Sequence, residues 1–154
     1  VDELPNLVLA KFPLDQEKQS IMGHSMGGLG ALNIAIRNPE IYKTVSAFAP
    51  IANPTKGIWG QKQFEAYLGK KTENWKKYDP SILLNEQGYK GKILIDQGTK
   101  DDFLKNLMPE SLKNIFNNRN NGDQLRYQKD YDHSYFFVSS FLKDHVLWHK
   151  EHVK

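Results

Sequence analysis

Apolar and polar residues follow two rhythms along this chain. Ser20-Ile21-Met22-Gly23 is a short apolar run closed by glycine, the pattern of a buried strand. Directly after it, Leu29, Leu32, Ile34, Ala35 and Ile36 recur at helical spacing over residues 27–37, and Asn38-Pro39 ends the pattern. Residues 44–49 (TVSAFA) read as a second strand stopped by Pro50, and residues 92–96 (KILID), set between Gly91 and Gly98, as a third. Pro109 suits the first position of a helix that runs on through Leu112, Ile115 and Phe116. Residues 124–128 form a fourth, more polar strand. A last helix covers about 134–151, with Val138, Phe141, Leu142 and Trp148 along one stripe. Between 51 and 91 the chain is polar and aromatic, with short helical pieces but no single period. Strands alternating with helices predict an α/β protein with a mostly parallel sheet covered by helices. Strands that are apolar throughout fit such a sheet, because both of its faces are buried.

Composition narrows the picture. A chain of 154 residues is long enough for one domain with a sizeable core, and 39% hydrophobic residues argue against disorder. No apolar run approaches the length of a membrane span, and no signal-peptide pattern opens the chain. Lys plus Arg is 21 against 18 for Asp plus Glu, a net +3 that implies neither a nucleic-acid nor a membrane partner. Lys70, Lys71, Lys76 and Lys77 flank Trp75, and this pattern reads as a solvated face. With no cysteine, disulfides, thiolate metal sites and thiol nucleophiles are excluded within this chain. His145, His149 and His152 share one helix face at a spacing a metal could use, but they also continue the apolar stripe and suit a helix C-terminus. They are read as packing, with no metal expected.

The sharpest chemical signal is Gly23-His24-Ser25-Met26-Gly27-Gly28, a G-x-S-x-G match set between the first strand and the first long helix. In that setting Ser25 sits on a tight turn with its hydroxyl projecting above the sheet. Gly23 and Gly27 are expected to leave room for the turn, and the Met26 amide, at the helix start, suits a developing oxyanion. A serine nucleophile needs a base, itself oriented by a carboxylate. The loop after the third strand offers Asp101 or Asp102, and the loop after the fourth offers His133. Asp132, adjacent to His133, is read as shaping the turn that presents it. Trp59 and Tyr67 lie where a pocket wall is expected, and Trp59 is a candidate substrate contact.

Four segments in order, GHSMGG (23–28), WGQKQFEAYLG (59–69), ILIDQGTKDDFL (93–104) and YDHSYFF (131–137), closely resemble S-formylglutathione hydrolase, the esterase D family. The similarity runs from about Leu4 to His152. It implies the α/β-hydrolase fold, with Ser25 as nucleophile, His133 as base and Asp101 as acid, since the family pattern G-x-x-D-x-F falls on Gly98, Asp101 and Phe103. It implies hydrolysis of the thioester S-formylglutathione to glutathione and formate, the closing step of glutathione-dependent formaldehyde removal, in a cytoplasmic enzyme without cofactor. A general carboxylesterase, an acyltransferase of mycolyltransferase type and a non-catalytic interaction module are the alternatives, and a homodimer stays open.

The resembled fold places further strands before the nucleophile strand, and residues 1–24 leave no room for them. Residues 1–8 (VDELPNLV) resemble the end of the helix preceding that strand. The expectation is therefore that residues 1–154 are the C-terminal part of a single α/β-hydrolase domain, not competent alone. The N-terminal half would be its partner and would supply the second oxyanion amide. The strand at 20–23 would then be an uncovered apolar edge.

Overall fold

The computed structural model describes residues 1–154. In chain order the elements are α1 (Glu3–Leu9), β1 (Gln19–His24), α2 (Met26–Arg37), β2 (Tyr42–Phe48), α3 (Ile58–Leu68), α4 (Thr72–Lys76), α5 (Pro80–Glu86), β3 (Lys92–Gly98), α6 (Leu104–Leu107), α7 (Glu110–Arg119), β4 (Gln124–Gln128) and α8 (Tyr135–His152). The four strands form one sheet in the order β1-β2-β3-β4, every neighbouring pair parallel. No helix is long and apolar enough to cross a membrane.

The two faces of the sheet differ in chemistry because side chains alternate along each strand. Val45, Ala47, Ile93 and Ile95 point to one face, where they pack with Leu32, Ala35 and Ile36 of α2, Leu83 and Leu84 of α5, and Leu112, Ile115 and Phe116 of α7. Thr44, Ser46 and Phe48 take the alternate positions, toward α8. There His149 is hydrogen-bonded through Nδ1 to Thr44 Oγ1 at 2.6 Å and through Nε2 to Ser46 Oγ at 2.8 Å. Burial, with the charges of His145 and His152 acting the same way, pushes the His149 pKa down to about 4. The ring is therefore neutral when the helix is docked.

Three local expectations need correction. The buried residues of α8 are Phe137, His145, Trp148 and His149, whereas Leu142 of the expected stripe faces outward. Pro109 immediately precedes α7 instead of opening it. A Cβ on Gly27 would meet nothing within 4 Å, so Gly27 does not serve clearance. The crowded positions are Gly23, whose Cβ would lie 2.2 Å from the Gly27 carbonyl oxygen, and Gly28, whose Cβ would lie 2.9 Å from Pro50 Cβ.

Candidate active site

Three loops at the C-terminal end of the parallel sheet meet at one place, where open α/β sheets bind ligands. Ser25 follows β1 directly and begins α2. Its φ of 56° and ψ of −116° are strained for a residue with a side chain. Two main-chain bonds hold the turn: Ser25 N–H donates to the Phe48 carbonyl at 2.8 Å, and Leu29 N–H to the Ser25 carbonyl at 3.0 Å. Met26, the first residue of α2, lies before the first turn's main-chain bonds, where helix N–H groups are free to face an anion.

The loops after β3 and β4 are tied to each other. Thr99 N–H donates to the Gln128 carbonyl at 3.0 Å and Lys100 N–H to the Tyr131 carbonyl at 2.9 Å. Gly98 is required at the crossing, because a Cβ there would lie 2.3 Å from the Tyr131 carbonyl oxygen. Asp132 caps the next turn, its Oδ1 accepting from Ser134 N–H at 3.0 Å and from Ser134 Oγ at 2.5 Å. The result brings Asp101 and His133 together, with His133 Nδ1 donating to Asp101 Oδ2 at 2.7 Å. Asp101 is buried, while Asp102 points to solvent. Asp101 also accepts from Phe103 N–H on Oδ1 and from Gln97 Nε2 on Oδ2, each at 2.8 Å. Burial raises the Asp101 pKa, but the hydrogen bonds from His133, Phe103 and Gln97 outweigh it and hold the carboxyl below its ordinary value. An ionised carboxylate can only accept, so His133 carries a proton on Nδ1, which leaves Nε2 as the ring nitrogen available to act as a base.

No hydrogen bond joins Ser25 Oγ to His133. Catalytic contacts of this kind commonly tighten only when substrate is bound. The two loops nonetheless share a neighbourhood, since the ring of His24, next to Ser25, lies 4.6 Å from the His133 ring. Burial, followed by the charge of His133, lowers the His24 pKa, with Asp101 opposing. Phe103 packs edge-on to His133 at 5.1 Å and Trp59 lies 5.0 Å from Phe103, so Trp59 joins the aromatic rim of the site. Tyr67 lines an apolar groove between α2 and α3 with Leu29, Ile34 and Phe64, and Met26, next to Ser25, belongs to the same groove. His145, His149 and His152 are apart from this site: the first two are buried under the sheet, and His152 Nδ1 lies 2.8 Å from the Trp148 carbonyl. Sequence reasoning did not single out Gln97 or His24. Both stand inside the recognised motifs, but only the packed structure shows what they touch.

A four-stranded parallel sheet with a strained serine turn and a carboxylate–imidazole pair at its C-terminal end defines an α/β-hydrolase-type fold. The chain belongs to the Esterase family, whose model matches residues 1–148. It is 56% identical over 149 residues to the S-formylglutathione hydrolase of Paracoccus denitrificans, a match covering 97% of this chain and 53% of that protein. Among solved structures, an S-formylglutathione hydrolase from Agrobacterium tumefaciens superposes with a TM-score of 0.92 at 42% identity, over all of this chain and 56% of the other. A fluorophosphonate-binding serine hydrolase of Staphylococcus aureus shares the fold, with a TM-score of 0.77 at 22% identity, over 96% of this chain and 60% of its own. The chain thus spans about half the length of the relatives it matches, in agreement with the resemblance read from the four segments.

Proposed function

We propose that this chain carries the catalytic triad of a serine thioesterase that hydrolyses S-formylglutathione to glutathione and formate. The observation that carries the reading is the 2.7 Å pairing of Asp101 with His133 beside a serine held at a φ of 56°. Ser25 is the nucleophile, His133 the base and Asp101 the acid that orients it. His133 Nε2 takes the Ser25 proton as Oγ attacks the formyl carbon, and the Met26 amide donates to the oxyanion. Collapse expels the glutathione thiolate, a good leaving group, which gains a proton from His133. A water then gives its proton to His133 Nε2 and attacks the formyl-serine, and formate leaves as Ser25 recovers its hydrogen. Trp59 contributes the aromatic rim against which the substrate packs. No step requires a metal or organic cofactor.

The partner proposed for this chain is the remaining half of the same domain, set along β1. That strand pairs on one side only, and Leu4, Leu7, Phe12 and Leu14 in the segment leading into it are more than half exposed. The second oxyanion amide belongs to that half. In the intact protein, turnover of S-formylglutathione should far exceed that of short aryl esters, and Ser25→Ala should abolish it while the thermal transition stays in place. A preference for aryl esters would replace the thioesterase reading with a carboxylesterase, and activity surviving in Ser25→Ala would remove the triad.

A further inference from the structure

Three donors converge on Asp101, and the proposed reaction explains only the one from His133. Gln97, near the end of β3, is completely buried. Its Nε2 donates to Asp101 Oδ2 at 2.8 Å and to the Gly98 carbonyl at 3.2 Å. Oδ2 is the same oxygen that accepts from His133 Nδ1, while Oδ1 is taken by Phe103 N–H. Turning Oδ2 away from His133 therefore breaks two further bonds. The other end of the amide, Gln97 Oε1, is buried with no hydrogen-bond partner. A position filled for packing alone would favour an apolar side chain, since an unpartnered buried carbonyl is destabilising. Flipping the amide would set Oε1 against Asp101 Oδ2, acceptor facing acceptor, so the orientation is fixed by its neighbours.

We propose that Gln97 is a positioning residue that locks the Asp101 carboxylate with Oδ2 facing His133 Nδ1. This rests on the triad reading above. Gln97 acts through Asp101: with the carboxylate locked, Nδ1 stays protonated and Nε2 stays aimed at the Ser25 turn. The amide also draws charge from Oδ2, in line with the lowered Asp101 pKa. Without that donor Oδ2 carries more charge and attracts a protonated imidazole more strongly.

Gln97→Met removes both the donor and the unpartnered oxygen at similar length, and Gln97→Leu removes both with a shorter side chain. In the intact protein, Gln97→Met should lower kcat roughly tenfold with KM unchanged, far less than the ~10⁴-fold expected when the acid itself is lost. The acid limb of its pH profile should move upward, and likewise in Gln97→Leu, while the melting temperature of Gln97→Met holds or rises. A Gln97→Met protein within about twofold of wild-type kcat and with an unmoved acid limb overturns the proposal. Should Gln97→Met fail to fold, the acid limb of Gln97→Leu decides by the same criterion. A wild-type protein with no thioester turnover defeats the function instead. The downfield Nδ1 proton resonance of His133 still reads Gln97 in that case: it shifts in either variant if Gln97 holds Asp101, and an unmoved resonance rejects the role.

Discussion

The middle of the sheet and its β1 edge are built from similar residues and end up in different surroundings. In β2 and β3 nearly every residue after the first one or two is buried, while in β1 none is. Leu32 in α2 is fully buried, whereas Leu7 in α1 is 58% exposed and α1 buries nothing. Hydrophobicity does not separate them, since Ile21 and Met22 are as apolar as Val45 and Ala47. What separates them is a second neighbouring strand and a helix on each face. The loops of the proposed triad leave from both regions: Asp101 springs from the well-packed β3, and Ser25 from the bare edge strand. The Asp101–His133 pair is thus fully assembled, while the serine turn borders surface that this chain leaves open.

The comparison can be attacked first at its ordered side. Asp101→Asn should cost about 10⁴-fold in kcat, because the amide favours the wrong His133 tautomer, while the fold persists. Steady-state kinetics beside a melting curve check this, and a loss of activity matched by unfolding would count against it. Leu32→Ala, in the core beneath the Ser25 helix, should lose about 2–5 kcal/mol of unfolding free energy in a denaturant titration.

The polar face under α8 gives a pH test with a definite sign. The folded His149 pKa, about 4, lies below its ordinary 6.5, so the unfolded chain binds the proton more readily. The stability from the neutral, docked ring is complete above pH 6.5 and is lost as pH falls toward 4, amounting to about 3 kcal/mol. His149→Gln should flatten that acid decline in stability-versus-pH measurements. An unchanged decline would show that other groups control it.

The smallest effect sharpens the comparison most. On the surface seen here, Leu7→Ala should change stability by less than about 0.5 kcal/mol. With the proposed other half packed along β1, the same change in the intact protein should cost at least about 1 kcal/mol. A negligible cost there would leave the edge bare and remove the proposed partner.

Much of this architecture was legible in the sequence. The four strands are short apolar or β-rich runs bounded by glycine and proline, and the serine turn announces itself because only glycine fits at position 23. Where the sequence was silent, contacts between distant residues decide the structure. Residues 51–91 showed no single period because they form three short helices fixed by individual bonds, such as Trp75 Nε1 to the Gly69 carbonyl and Asp79 capping α5. Leu142 continued a plausible stripe, yet α8 turns His149 to the sheet, where it bonds Thr44 and Ser46, and lays His145 on the Phe48 ring. Gln97 lay inside a recognised segment, but its contact with Asp101 exists only once β3 and its loop have folded back.

Everything proposed for this site turns on Ser25 being the nucleophile, activated by His133 and Asp101. The most direct measurement is peptide mass spectrometry of the intact protein after brief treatment with a fluorophosphonate, which gives up fluoride when a serine oxygen attacks its phosphorus. One adduct is expected, on Ser25, forming rapidly in the wild type, far more slowly in Asp101→Asn and not at all in Ser25→Ala. An intact protein that remains unlabelled, or that carries its adduct on another residue, contradicts it.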